Sequence, residues 1–366
     1  MTVLTQDLLD RIRSRAAGYD ASNSFFDSDL DELRAAGYLA PRSLLETARD
    51  QRLLAAYAPA TALGINMHLV WTGVARVLHE RGDTSLDWVL ADAAAGELFA
   101  FGNSEPGNDL VLWDSLTTAT PVDGGWAFTG TKIFTSLAPA WTRLGIFGRF
   151  EDQLIHGFID RTSPGVTTLD DWDTLGMRAT QSRTTVLDGA FVPSDRVSRV
   201  LPVGPNADPF VFGIFSNFLL LIGSVYAGIA DRALELAVSS SHSRKSLKSG
   251  AAYSQDPDIR WRIADAALAV DALAPQLESL ASDVDSHVDH GAAWFRHLTG
   301  AKHRSTEAAR YVVDQALRVA GGSGYRASSE LARLQRDVLA GIYHPSDTES
   351  IHATVATNLL GPLADR

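Results

Sequence analysis

Hydrophobic and polar positions divide this chain into three zones with different periods. From residue 4 to about residue 99, leucine and alanine recur every three or four positions, which is typical of helices packed on a core. From about residue 101 to residue 200, short β-type runs alternate with turn sequences such as Asp123-Gly124-Gly125, which favour hairpins. Beyond residue 209, alanine-rich segments again predict helices, which we place at 214–241, 256–288, 291–321 and 328–339.

This order of elements predicts an α+β protein that is mostly α, since strands do not alternate with helices as they would in a parallel sheet. We divide the chain into an N-terminal helical domain at 1–98, a central β domain at 99–200 and a C-terminal helical bundle at 201–366. Glycines at 321, 322 and 324 follow a helix and not a strand, so they are not a Rossmann fingerprint. They could end that helix or let a ligand approach the backbone closely.

Composition narrows the possible function classes. Of the 366 residues, 45% are apolar and 21% charged, which is ordinary for a globular protein, and the net charge of -12 argues against a nucleic-acid partner. Cysteine is absent and no histidines are spaced to chelate from one helix face, so we predict no metal site. The longest apolar run, at 218–222 and onward, is broken by glycine and is too short to span a membrane. We therefore predict a cytoplasmic protein without membrane insertion.

Several segments, taken in order, resemble the acyl-CoA dehydrogenase superfamily. They lie at residues 102–109, 130–136, 174–182, 187–193, 321–325 and 336–337. Each is a weak signal alone, but the order and spacing are those of the family. The resemblance implies an N-terminal helical domain, a central β-barrel-like domain and a C-terminal four-helix bundle. It also implies a homotetramer or homodimer that completes each flavin site across subunits.

The resemblance implies FAD as the cofactor, with FMN or reduced flavin supplied by a reductase as the alternative. Phe134 and Ser136 are expected to lie on one face of a strand, where they would stack on the flavin ring and hydrogen-bond to it. Further cofactor contacts are implied for a loop and for a phosphate-binding region. These residues are Ser104 and Asn108 in the loop, and Arg244, Arg318, Gly321 and Gly322 in the phosphate-binding region.

The catalytic glutamate of the acyl-CoA dehydrogenases has no counterpart in this sequence. Of the two positions that carry it in the family, one is Pro345 here and the other falls at about Phe218. Removing the α-proton of an acyl thioester needs a base beside the substrate, and His344 is our candidate. Ser136 is the second residue that we place in the catalytic set, for the oxygenase alternative given below. We also place three residues in the substrate pocket: Glu105, His68 and Tyr343.

Three functions stay open. The first is an atypical dehydrogenase that oxidises an acyl thioester or related small substrate by proton abstraction and hydride transfer to flavin, with an electron-transfer flavoprotein as partner. The second is implied by features similar to the two-component flavin monooxygenases, which share the fold and lack the glutamate. It would use oxygen and reduced flavin from a flavin reductase, through a C4a-hydroperoxide supported by His344 and Ser136. The third is a catalytically silent structural relative. The loop at 104–109 and the hairpin at 123–136 look more like dehydrogenases, so we place the first hypothesis ahead.

Overall fold

The N-terminal part is helical in the computed structural model, which describes residues 2–363. Its helices are α1 (Gln6–Ser22), α2 (Asp27–Ala35), α3 (Leu44–Ala55), α4 (Pro59–Glu80) and α5 (Asp87–Ala94). The hydroxyls of Thr5 and Ser43 cap α1 and α3 by accepting hydrogen bonds from backbone N–H groups of the first turn. Helix α4 is buried along most of its length, which explains why its sequence is apolar on every side.

The central part is one mostly antiparallel sheet. Its strands are β1 (Phe99–Gly102), β2 (Thr118–Val122), β3 (Gly125–Thr135), β4 (Arg143–Phe150), β5 (Gln153–Asp160), β6 (Val166–Thr168), β7 (Arg183–Pro193) and β8 (Val197–Pro202). The strand order is β6-β7-β3-β2-β4-β5-β8, and β1 pairs in parallel with β4. The predicted turn at Asp123-Gly124 joins β2 to β3, with Gly124 at a φ of 77° that favours glycine.

The C-terminal part is helical again. Its helices are α6 (Pro209–Ser243), α7 (Pro257–Asp271), α8 (Leu273–Asp285), α9 (Ala293–Ala320), α10 (Glu330–Asp337) and α11 (Thr348–Leu360). Helices α6 to α9 pack together as a four-helix bundle, with α6 at its centre. The predicted α+β class with this three-part architecture is confirmed. The single helix predicted at 256–288 was wrong, because the chain breaks at Ala272 and continues as α8.

Helix α6 is the hydrophobic axis of the molecule. Our prediction that the apolar run around 218–222 is too short for a membrane was wrong as to length, since this 35-residue helix is long and apolar enough to cross one. However, 89% of its most apolar 18-residue window is buried inside the fold. Its apolar character is therefore accounted for by packing against α3, α4 and α9.

Trp71 on α4 locks the helical N-terminal part onto the sheet. Its indole makes edge contacts with Phe101 and Phe158, each at 4.6 Å between ring centroids, and Nε1 donates to the carbonyl of Ala100 at 3.0 Å. A side chain at Gly145 would collide with this indole, so glycine is needed there. This packing fixes β1, whose carboxyl end leads into the site described below.

Candidate functional site

A cavity of about 440 Å³ opens where the helical N-terminal part, the sheet and the C-terminal helices meet. The volume is in the range of small-molecule and cofactor sites, and the wall is mostly apolar. Its lining is Leu63, Met67, Phe101, Asn103, Ser104, Phe134, Ser136, Trp172, Thr174, Leu175, Gly176, Met177, Thr180, Ser182, Phe218, Ile222, Arg336, Leu339, Ala340, Ile342, Tyr343, His344 and Pro345. Five residues predicted from the sequence thus meet here: Ser104, Phe134, Ser136, Tyr343 and His344.

Phe134 and Ser136 share the cavity, but the expected strand alternation does not put them there. Phe134 has a φ of 57°, the register of β3 shifts between Lys132 and Thr135, and β3 ends at Thr135. The N–H of Ser136 donates to the carbonyl of Phe134 at 3.0 Å, which makes a tight turn. Because of this turn, the Phe134 ring is 53% exposed and meets Trp172 edge-on at 6.1 Å. A free apolar ring of this kind can cover a flat ligand.

The hydroxyl of Ser136 belongs to a relay. Its Oγ lies 2.8 Å from Oγ of Ser182, which donates to Oγ1 of Thr180 at 2.8 Å, and Thr180 donates to the carbonyl of Met177 at 2.9 Å. Each hydroxyl carries one hydrogen, so this direction leaves Ser136 donating to Ser182. Ser136 then keeps its lone pairs for a ligand and acts as an acceptor.

His344 brings an imidazole to the cavity wall. Its Nε2 is buried without a hydrogen-bond partner among residues 2–363, and its ring meets Tyr226 edge-on at 5.8 Å. Burial, together with the positive charge of Lys302, lowers the pKa of His344 to about 3. The imidazole is therefore neutral near pH 7 and has an unsatisfied nitrogen that a ligand could satisfy.

Known proteins are similar to this chain in sequence and in fold. A family model described as "Acyl-CoA dehydrogenase, C-terminal domain" matches residues 220–346. L-evernosamine nitrososynthase of Micromonospora sp. is 31% identical over 224 residues, which are 60% of this chain and 53% of that protein. Amino sugar nitrososynthase DnmZ of Streptomyces peucetius is 32% identical over 237 residues, which are 63% of this chain and 58% of that protein. The aligned region thus spans little more than half the length of these relatives.

Solved structures extend the likeness over nearly the whole chain. KijD3 in complex with FMN and dTDP-3-amino-2,3,6-trideoxy-4-keto-3-methyl-D-glucose is 26% identical, with a TM-score of 0.84 over 98% of this chain and 93% of that one. A glutaryl-coenzyme A dehydrogenase, at 20% identity, has the same fold, with a TM-score of 0.82 over 99% and 98% of the two chains. The chain thus matches the acyl-CoA dehydrogenase C-terminal domain over residues 220–346, and over nearly its whole length it has the fold of these enzymes.

Both glutamate positions of the superfamily face the cavity, and both are apolar here. Phe218 on α6 and Pro345 after the last 3₁₀ turn line the wall. No aspartate or glutamate lines the cavity in the described part of the chain. A substrate bound against the described lining therefore meets no carboxylate that could remove a carbon-bound proton.

Two residues were missed in the sequence, one that lines the cavity and one that supports its wall. Asn103, at the end of β1, is buried, and its Oδ1 has no hydrogen-bond partner within residues 2–363, which makes it a second open acceptor. Lys302 on α9 is buried, and its Nζ donates to three backbone carbonyls of the segment that carries His344. A signal existed for Lys302, because it interrupts the apolar stripe of α9 that runs through Leu298 and Ala309.

Glu105 was wrongly placed in the substrate pocket, because it does not line the cavity. It is 3% exposed and pairs with Lys132 at 2.6 Å, and it accepts further hydrogen bonds from Asn108, Ser115 and two backbone N–H groups. Burial alone would raise the pKa of Glu105, but the charge of Lys132 and these hydrogen bonds lower it to about 2. Asn108 is likewise held away from the cavity, since its amide also donates to the carbonyl of Asp114 at 3.0 Å.

His68 was also wrongly placed in the pocket. It is 1% exposed; its Nε2 lies 3.0 Å from the carbonyl of Leu39, and its Nδ1 lies 3.3 Å from the N–H of Phe99. Since Nδ1 accepts from that N–H, Nε2 carries the ring hydrogen and donates. Burial lowers the pKa of His68 to about 4, so this neutral ring is a structural bridge between α4 and its neighbours.

The predicted phosphate-binding residues lie together at the end of α9, outside the cavity lining. Nη1 of Arg244 donates to the carbonyls of Val319 and Ala320, at 2.9 Å for the first, and its guanidinium packs over Tyr253. Gly321 ends α9 with a φ of 61°, as in the helix-ending alternative drawn from the sequence. The other two predicted phosphate-binding residues also lie outside the cavity lining. Gly322 is next to Gly321, and Nε of Arg318 pairs with Asp314 at 2.7 Å.

Proposed function

We propose that this protein is a flavin-dependent monooxygenase that takes reduced flavin from a separate reductase and hydroxylates the amine of a small molecule. One observation carries the proposal: the cavity lacks a carboxylate at both positions where a dehydrogenase of this superfamily holds its base. Oxygenation of an amine needs no removal of a carbon-bound proton, so it suits this wall. The likeness to two nitrososynthases and to a structure holding FMN and an aminosugar nucleotide supports the same choice.

The residues present fit a flavin ring. Phe134, Trp172 and Leu339 offer the apolar surface that a flat heterocycle needs, and they would exclude water from it. Ser136 and Asn103 supply acceptors for ring N–H groups, which are more numerous on reduced than on oxidised flavin. Bound reduced flavin would reduce dioxygen, so that one oxygen atom enters the substrate as a hydroxyl group, the other leaves as water, and the flavin ends oxidised.

His344 would serve this reaction as a neutral hydrogen-bonding group. Its unsatisfied Nε2 can bind the substrate amine or the flavin edge. Its low pKa makes it a weak base for a carbon acid, which again favours oxygenation over dehydrogenation. The preference reverses the order in which we placed the two hypotheses from the sequence.

We propose FMN as the form of the cofactor, with FAD as the alternative; the titration described below distinguishes them. The adenylate half of FAD adds a second phosphate, and Arg336, the one cationic residue lining the cavity within the described range, is already engaged with Asp20 and with the carbonyl of Leu175. Arg244 is likewise engaged by carbonyls of α9. FMN has one phosphate fewer than FAD and therefore needs fewer cationic partners.

The test is anaerobic titration with reduced FMN and reduced FAD, followed by addition of ¹⁸O₂ and a panel of primary amines that includes aminosugar nucleotides. We expect tighter binding of reduced FMN, consumption of one O₂ per flavin, and one ¹⁸O atom in a hydroxylated product. Stoichiometric hydrogen peroxide with every amine, and no labelled product, would contradict the proposal. Matched reactions with Ser136→Ala and His344→Ala should release more peroxide per O₂ than the unaltered protein.

A second candidate is oxidation of an acyl thioester. It is favoured by the 26% identity over 280 residues to the human mitochondrial short-chain specific acyl-CoA dehydrogenase, covering 75% of this chain and 65% of that protein. Anaerobic mixing of the oxidised flavoprotein with acyl thioesters decides this case. Bleaching of the flavin by a thioester would establish the dehydrogenase, with an electron-transfer flavoprotein as its partner, and persistent absorbance would reject it.

A further inference from the structure

Lys302 is an unusual buried cation because it has no carboxylate partner at hydrogen-bond distance. The residue is 1% exposed and lies on the face of α9 that packs into the bundle. Its Nζ donates to the carbonyls of Gly341, His344 and Ser346, at 3.2, 3.0 and 2.7 Å. All three ammonium hydrogens are therefore used by backbone oxygens of one short segment.

These carbonyls need such a partner. The 3₁₀ helix Val338–Ile342 ends beside α9, and the chain then runs in irregular backbone until α11 begins at Thr348. A carbonyl that packing shields from water is costly when unpaired, and so is a buried ammonium. Lys302 satisfies both costs at once, and the segment it binds is the one that carries His344 into the cavity.

We propose that Lys302 is a positioning residue that holds the imidazole of His344 in the cavity and supplies the positive field under which it works. The inference rests on the oxygenase function proposed above, because His344 has its role there. Lys302, a residue outside the cavity lining, would then influence the reaction. Because it does not line the cavity, it would act through His344 alone.

The positive field at His344 comes from Lys302, and the other groups around His344 are neutral or acidic. From α9 it faces Lys302, from α6 it faces the neutral phenol of Tyr226, and Asp347 follows it at the start of α11. Asp337 lies beyond Tyr226, where it accepts from a backbone N–H. Burial lowers the pKa of Lys302 to about 8, partly opposed by Asp347 and by Glu307 on α9, so the ammonium stays charged near pH 7.

The first arm of the test needs no catalysis. The Cε1 proton of His344 is assigned by its loss in His344→Ala, and its titration is followed by NMR in the protein as purified. In Lys302→Met the midpoint should rise by about one pH unit, because removing a neighbouring charge relieves the imidazolium. Lys302→Arg keeps the charge and should hold the midpoint near its original value, and Lys248→Met removes an exposed lysine as the control. An unchanged midpoint in Lys302→Met would overturn the inference.

The second arm is a double-mutant cycle in the oxygenation assay. Lys302→Met should lower the yield of hydroxylated product per reduced flavin about tenfold, with peroxide rising in its place, while the affinity for reduced flavin changes less than about twofold. In the His344→Ala background the same substitution should lower the yield less than about twofold further. Equal losses in both backgrounds would show that Lys302 acts independently and would overturn the inference.

Lys302→Arg keeps the second arm decisive if Lys302→Met does not fold. The wider guanidinium cannot meet the same three carbonyls, so we expect an intermediate yield in the native background and no further loss with His344→Ala. If the unaltered protein forms no oxygenated product at all, the proposed function fails. The NMR arm still decides whether Lys302 governs His344, so the two failures are distinguishable.

Discussion

The buried pair Glu105–Lys132 gives the sharpest quantitative prediction, because removing one charge leaves the other unpaired. The prediction also separates the structural role of Glu105 from the substrate-pocket role that we expected from the sequence. Glu105→Gln removes the charge and keeps the shape. The two carboxylate oxygens together accept five hydrogen bonds, from Lys132, Asn108, Ser115 and the backbone N–H groups of residues 116 and 117. Whichever way the glutamine amide is turned, its NH₂ group faces a donor, and the ammonium of Lys132 loses its counter-charge.

Removing one member of a buried pair costs roughly 3–5 kcal/mol, because the other charge stays desolvated. We therefore expect Glu105→Gln to lower the free energy of unfolding by about 4 kcal/mol near pH 7. Lys132→Met should have a comparable effect, since the carboxylate is then unpaired. The double variant should be less destabilised than the sum of the two by about 2 kcal/mol, as expected of groups in one network.

Equilibrium urea unfolding followed by circular dichroism measures the change, with Asp123→Asn, an exposed turn carboxylate on the same sheet, as the matched control that should shift by less than about 0.5 kcal/mol. Under native conditions the affinity of Glu105→Gln for reduced flavin should stay within twofold of the unaltered protein. A loss of less than about 1 kcal/mol, or a loss of flavin affinity without destabilisation, would refute the structural role.

Three further predictions follow from the site and its supports. Burial raises the pKa of Asp337 to about 6, so folding takes up a proton between about pH 4 and 6. The free energy of unfolding should therefore fall by about 3 kcal/mol as pH rises through that window, and Asp337→Asn should remove this slope in urea unfolding at pH 4.5 and 7.5. Gly176→Ala would drive a Cβ into the backbone of Arg336 and should destabilise the protein by about 2 kcal/mol, read as a lower Tm. Ser182→Ala frees the hydrogen of Ser136 to donate and should cut the preference for reduced over oxidised flavin about fivefold in anaerobic titrations.

The architecture could be predicted from the sequence because the period of apolar residues changes with each part of the chain. The break between α7 and α8 was missed because Ala272 is a good helix former and carries no breaking signal. Pro275 lies in the first turn of α8, where proline is tolerated, and it marks the new helix only once the break is known. A local pattern can therefore give the type of an element more securely than its ends.

The site was predicted in part. The residues that were misplaced are those whose hydrogen-bond partners lie far away in the sequence. Phe134, Ser136 and His344 were named because their segments resemble those of a known family, and these segments do line the cavity. Glu105 and His68 have the same polar character in sequence, but their partners come from the fold. Lys132 lies 27 residues from Glu105, and Leu39 and Phe99 lie 29 and 31 residues from His68. No local spacing reports such pairings.

The two buried lysines make the same point and bear on the reaction. Lys132 on β3 and Lys302 on α9 both replace an apolar residue on a buried face, and burial lowers the pKa of each to about 8. Lys132 meets a carboxylate, so its charge is compensated inside the sheet. Lys302 meets only carbonyls, so its field still reaches His344. The cavity thus has a positive field on one wall and no carboxylate on any described part of its lining, an arrangement that suits the stabilisation of developing negative charge on oxygen better than the abstraction of a proton from carbon.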